Sequence, residues 1–278
     1  MTTNPRIRVR EATLADLDDV NTIHFAAFDN DVMSQLMYPN GVSEDTLTKA
    51  RARIFPTRNP EDGTKKGQSF LYVAELLPED GPADGPGEII AIAKWVLYPE
   101  QRPEEEWKTE NFTATIETHG DSADLAVVNA FIGAMNQKQR DLAKGEAALC
   151  KDCICLLAAI WHFVLTPLIY PDLSVLACSP NRQRLGAGSA LLKWGVDLAD
   201  SLGLPSRLEA SPAGYPLYRK FGYEDVDVLD TKITETWGVV NTDGRNWGAN
   251  TAIALAGPLP EGVMRTAIMR RPAKKPTA

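Results

Sequence analysis

The chain has 278 residues, 44% hydrophobic and 24% charged, proportions that suit a soluble globular protein with a sizeable core in one large domain or two small ones. Its 29 Lys and Arg against 37 Asp and Glu give a net charge of −8, which argues against a nucleic-acid footprint and an anionic membrane surface and weakly favours a cationic small substrate. The opening residues, MTTNPRIRVREATL, carry no apolar signal run, and the cysteines at 150, 153, 155 and 178 make no spaced disulfide framework, so a reduced, cytoplasmic setting is expected.

Residues 6–10 alternate Arg6, Ile7, Arg8, Val9, Arg10 and predict a half-buried strand. Thr13 followed by Asp16 caps a helix that runs to about Phe28, with Leu17, Val20, Ile23 and Ala27 facing inward and His24 beside them as a packed or surface histidine. A loop over 29–41 and a second helix from Ser43 to about Ile54 follow. Residues 69–77 and 88–98 are strong strand patterns joined by EDGPADGPG, an antiparallel hairpin expected at the sheet centre. Residues 99–112 read as a surface loop, and Ala123 to Lys144 has helical periodicity.

Cys153 to Pro171 is a 19-residue run without a formal charge, at the lower edge of a membrane-spanning length. A span there would divide one sheet between two sides of a membrane, so a buried or interface helix is expected, within an apolar insertion over about 148–171 or a retained intron. The Cys150-x-x-Cys153-x-Cys155 spacing lacks a fourth thiolate, and no metal site is expected. Further on, Val226 and Val228 mark a strand and Val263 to Met269 the last one. Between them residues 231–262, with Trp237 and Trp247, read as a loop or lid over one edge of a site.

The chemistry is concentrated between Asp172 and Tyr223. Leu173 to Cys178 reads as a strand, followed by a Pro-Asn turn, a basic loop with Gly186 and Gly188, and an amphipathic helix with Leu191, Leu192, Leu198 and Leu202 inward and Lys193, Asp197 and Asp200 outward. Glycines at a helix N-terminus let backbone N–H groups approach an anion closely, though such a pair also serves in plain strand-to-helix turns. The loop lacks the Gly-Lys-Ser/Thr of a Walker motif and the first glycine of a dinucleotide fingerprint. A short strand, Arg207 to Ala210, then leads into SPAGYPLYRKFGY, in which Pro216 suits the first turn of a helix and Gly222 its left-handed end.

Gln183-x-x-Gly186-x-Gly188 resembles the pyrophosphate loop of the GNAT N-acetyltransferases, with Cys178 where that family usually has Val, and Leu217-Tyr218-x-x-x-Gly222-Tyr223 resembles their closing motif. The wording is similar to the fungal small-molecule branch. The resemblance implies one GNAT domain over 1–278, an α/β (α+β) fold whose mixed, mostly antiparallel twisted sheet of six to seven strands has a central parallel pair and flanking helices. It implies acetyl-CoA as cosubstrate, held by Ala177, Cys178, Gln183, Arg184, Leu185, Gly186, Ala187, Gly188, Ser189 and Ser211, with Tyr218 as the acid that protonates the leaving sulfur. The acceptor wall would include Phe28, Met33 and Tyr38, with plain packing as the other reading. By period-two alternation Glu209 shares a strand face with Ser211, and the resemblance places that strand beside the cofactor strand, which makes Glu209 a candidate base. The expected reaction is direct acetyl transfer to a small-molecule primary amine in a ternary complex, with no nucleic-acid or membrane partner and a homodimer left open. A protein acetyltransferase (lysine or N-terminal) and a non-catalytic acyl-CoA-binding module are the alternatives.

Overall fold

The structure is a computed structural model that describes residues 5–54, 68–108, 112–151 and 175–274. In chain order it has β1 (Ile7–Glu11), α1 (Leu17–Phe28), α2 (Val32–Met37), α3 (Glu44–Ile54), β2 (Gln68–Leu76), β3 (Glu88–Tyr98), α4 (Glu104–Trp107), α5 (Ile116–His119) and α6 (Leu125–Ala143). There follow β4 (Ala148–Lys151), β5 (Leu176–Cys178), α7 (Ala187–Leu202), β6 (Ser206–Ala210), α8 (Tyr215–Lys220), β7 (Glu224–Thr231), α9 (Ile233–Trp237), α10 (Ile253–Ala256) and β8 (Met264–Arg271). The strands form one mixed sheet in the order β1-β2-β3-β4-β6-β8-β7, with β5 also paired to β3. All the pairings are antiparallel except β4 with β6.

The sheet has eight strands where six to seven were expected, because two short strands share one place beside β3. Val96, Leu97 and Tyr98 pair with Cys150, Leu149 and Ala148, while Ala91, Ile92 and Ala93 pair with Cys178, Ala177 and Leu176. Lys94 donates its amide to the Val175 carbonyl at 2.8 Å. The two ladders are therefore in step: Lys151 falls opposite Trp95 and Val175 opposite Lys94, as neighbours in a single strand would. The central parallel pair is thus made by β4, and the expected neighbour of β6, the cofactor strand, runs on from β4 along β3. The apolar run Cys153 to Pro171 lies outside the described residues. Joining Lys151 directly to Val175 is expected to give a soluble protein whose thermal midpoint is no lower than that of the full chain; an insoluble product would show that the intervening segment is needed for folding.

Side-chain alternation along β3 supplies both faces of the sheet. Ala91, Ala93 and Trp95 face α7, where Leu191, Leu192, Leu208 and Met269 complete a core; each buried Leu is worth about 1.5–3 kcal/mol. Ile92 faces the other way, onto Val20 and Ile23 of α1 with Val175 and Ala177. On the same side Met33, Met37, Phe131, Ile132 and Trp247 gather α2, α6 and the 231–262 segment into a second cluster. Leu202 departs from expectation: at the last turn of α7 it is 47% exposed. Asp200, expected to face solvent, is gripped by Arg271 at 2.6 and 2.9 Å, which holds its carboxyl below the usual range. The loop expected over 29–41 contains α2, whose N-terminus is capped by the Asp31 carboxylate accepting from the Met33 and Ser34 amides.

Candidate active site

The stretch after β5 makes a cradle of backbone amides. Ser179 donates to the Ile90 carbonyl at 2.8 Å and Pro180–Arg182 forms one 3-10 turn, pinned by Arg182 to Glu88 at the start of β3. Arg184 (φ 65°) and Gly186 (φ 92°) then both take left-handed conformations and curl the chain into α7. For Arg184 that conformation costs about 1–2 kcal/mol, so it marks a local demand on the backbone. The first bond into the helix runs from the Ala190 amide to the Gly186 carbonyl, at 2.9 Å. Among the described residues, none of the amides from Gln183 to Ser189 donates to a protein acceptor. A helix N-terminus with such amides carries a partial positive charge and suits an anion.

Gly188 lies in the helical first turn and is needed for space. A Cβ there would sit 3.2 Å from Cys178 Sγ and 3.7 Å from Leu217 Cδ2. The thiol of Cys178 is therefore packed under the start of α7, where a small side chain lets the cradle close onto the end of β5.

At this end of the sheet β5 and β6 part. β4 accompanies β6 only as far as Lys151 opposite Leu208, and β5 pairs with β3 alone among the described strands. The Val175 carbonyl and Ser179 amide both bond to β3, so by the two-residue alternation of an antiparallel ladder Ala177 also faces β3. The polar backbone groups of Leu176 and Cys178 are directed to the opposite edge, toward β6. Of the two residues expected to present amides to the cleft, Cys178 has its amide directed to that edge and Ala177 has its amide turned to β3.

Glu209 is the first residue of β6 beyond the end of β4 and lies opposite Ile268 of β8. It is 3% exposed, on the face turned from α7. Ser211 follows just past the strand; its carbonyl accepts from the Gly214 and Tyr215 amides and its Oγ from the Gly214 amide at 3.3 Å, so it shapes the turn into α8. Tyr218 is 3% exposed and meets Tyr223 edge-on at 6.0 Å. A Cβ on Gly214 would lie 2.9 Å from Tyr218 Cε2, 3.5 Å from Cζ and 3.4 Å from Ser211 Oγ. The hydroxyl-bearing end of the ring therefore stands at the turn that leaves β6.

The expected acceptor wall divides. Phe28 is half-buried and lies tilted against His24 with ring centres 5.7 Å apart, His24 itself being packed between Phe25 and Phe28. Met33 is wholly buried and Tyr38 is 8% exposed, both in the second cluster, so Met33 is packing and does not form an open lining. The 231–262 segment arches between this wall and α8. Arg245 reaches Gln35 of α2 at 2.6 Å, and Asn246 Nδ2 donates to the Pro212 carbonyl at 3.3 Å. These contacts were not foreseen, since nothing local marks an Arg-Asn pair as a bridge. Lys94, wholly buried on β3, was likewise not singled out, although a solitary charge in an apolar strand is a signal that could have found it. Among the described residues there is no cluster of three or more His, Cys, Asp or Glu that could hold a metal, and no helix is long and apolar enough to cross a membrane; Cys153 and Cys155 lie outside them.

No protein-family model and no curated protein matches the chain. Solved structures do. The C-terminal condensation domain of Ebony, determined with beta-alanyl-dopamine, matches over 96% of this chain and 99% of its own, with 13% identity and a TM-score of 0.50. A histone acetyltransferase and related acetyltransferase from Corynebacterium glutamicum matches over 99% and 100%, at 18% identity and a TM-score of 0.43. The yncA protein of Salmonella typhimurium, solved with its cofactor acetyl-CoA, matches over 98% and 97%, at 12% identity and a TM-score of 0.44. At these identities the likeness is one of fold.

Proposed function

We propose that this protein is an N-acetyltransferase of the GNAT type that transfers an acetyl group from acetyl-CoA to a primary amine of a small molecule by direct attack in a ternary complex. The observation that carries the reading is the run of amides from Gln183 to Ser189, which among the described residues meet no protein acceptor at the start of α7, beside the cleft where β5 and β6 part. Such a cradle suits a diphosphate, with Gln183 and Arg184 as exposed side-chain donors around it. The fit extends along β5, where backbone groups directed toward β6 would hold a pantetheine arm and the Cys178 amide would polarise a thioester carbonyl.

Acyl transfer from a thioester to an amine needs a neutral nucleophile, a stabilised oxyanion and a proton for the departing thiolate. Tyr218 stands at the β6 turn and is the proton donor in this reading. A phenol near pKa ~10 and a thiol near ~8.5 are matched closely enough for that transfer in a dry site. Glu209, buried on the acceptor face, takes the amine proton directly or through water, and Phe28 contributes to the acceptor wall. The bridge from Gln35 through Arg245 and Asn246 to Pro212 narrows the cleft and favours a small acceptor over a peptide. The Ebony domain, similar in fold, was determined in complex with beta-alanyl-dopamine, an N-acylated amine.

Mixing the protein with acetyl-CoA and a panel of amines should release free thiol with small primary amines and not with peptides, and calorimetry without acceptor should register acetyl-CoA alone. Binding with no thiol release from any amine would make the protein an acyl-CoA-binding module. Release with peptides only would reassign it to protein acetylation.

A further inference from the structure

We infer that Tyr215 and Asn246 are positioning residues that hold α8 in place and so keep Tyr218 at the cleft; the inference rests on the reading of Tyr218 as the proton donor. Helix α8 has only six residues, too few to be stable alone, so its placement must come from contacts outside it. One of them comes from the 231–262 segment and one from β7. Asn246 Nδ2 donates to the Pro212 carbonyl in the turn that leads into α8, while its Oδ1 accepts from the Gly248 amide at 3.1 Å. The Tyr215 phenol donates to Asp225 Oδ2 of β7 at 2.9 Å. Tyr215, the first residue of α8, is thereby tied to a strand of the sheet. Burial, then the Asp225 carboxylate, raises its pKa and keeps it a protonated donor.

The mounting of these contacts is itself firm. Trp247 is 5% exposed in the second cluster, and its carbonyl accepts from the Arg265 amide at 2.8 Å. One turn beyond Tyr215, Tyr218 lies against Gly214 with no room for a methyl group between them, so a shift of the turn is passed directly to its ring.

Asn246→Asp keeps the acceptor for Gly248 and removes the donor to Pro212; Tyr215→Phe removes the phenol's bond to Asp225 and keeps the ring. Each variant is expected to lower kcat about ten-fold, as for a catalytic group moved by a fraction of an ångström, with KM for acetyl-CoA within about two-fold of the parent. Labelling the tyrosines with 3-fluorotyrosine, and assigning residue 218 by the resonance lost in Tyr218→Phe, gives a readout that needs no turnover. The 218 resonance should shift or broaden in both variants, and an unchanged 218 resonance in both folded variants overturns the inference. A parent protein that transfers no acetyl group would sink the proposed function and leave this test of positioning intact.

Discussion

Tyr218→Phe is expected to lower turnover at least ten-fold while leaving acetyl-CoA affinity nearly unchanged. Phenylalanine keeps the ring that packs against Gly214 and Tyr223, so the fold and the turn from β6 should survive. What disappears is one hydroxyl, 3% exposed with its residue, at the place where the proposed leaving sulfur departs. Positioned acids contribute about 10²–10⁴-fold, and a thiol leaves more readily than an alcohol, so the lower part of that range or somewhat less is the expected loss. Affinity should hold because the proposed diphosphate cradle is made of backbone amides between Gln183 and Ser189, which the substitution leaves untouched. Steady-state kinetics beside calorimetry separates the two quantities, and unaltered turnover would remove Tyr218 from the mechanism.

Arg265→Ala should cost about 3 kcal/mol of stability, the low end of the range for breaking a buried ion pair. Arg265 is 1% exposed and grips Asp230 with two parallel bonds of 2.7 Å each. Its remaining arm donates to the Gly257 carbonyl at 2.7 Å and the Thr251 carbonyl at 3.4 Å. One guanidinium thus ties β7, β8 and the segment around α10 together. Asp230 keeps a third of its side chain in water, so the abandoned carboxylate is partly solvated and the upper end of the range is not expected. Lys193→Ala makes the control: its pair with Asp197 is exposed on both sides and should contribute less than about 0.5 kcal/mol. Urea denaturation measures both, and a loss below about 1 kcal/mol for Arg265→Ala would mean that the clasp is replaceable by water. Because Asn246 sits on the segment it secures, the variant should also lose turnover at temperatures well below its melting point.

The parts of the molecule legible in the sequence are those whose signal is local. Apolar, β-branched runs on either side of a Gly/Pro/Asp loop marked β2 and β3 to within a residue, and the spacing of Leu191 and Leu192 with a glycine loop before them marked α7. Helix α8 was announced by Pro216 and by Gly222 at φ 81°. Elements that depend on a single contact were hidden. Helix α2 exists because Asp31 turns its carboxylate onto two amides, and burial raises that carboxyl above its usual range even as the amides pull it down. The pairing of β4 with β6 escaped notice because Ala148–Lys151 is four residues long and its partners in register, Ser206 to Leu208, lie far along the chain. The candidate site shows the same division. The cradle could be read from Gln183, Gly186 and Gly188, whereas the bridge made by Arg245 and Asn246 joins residues up to 210 positions apart and leaves no pattern in the chain.

Amide NMR during titration with acetyl-CoA examines the diphosphate cradle most directly. The largest shifts, and the greatest slowing of hydrogen exchange, are expected on the amides from Gln183 to Ser189. Saturable binding of acetyl-CoA that leaves those amides unmoved would rule out the cradle.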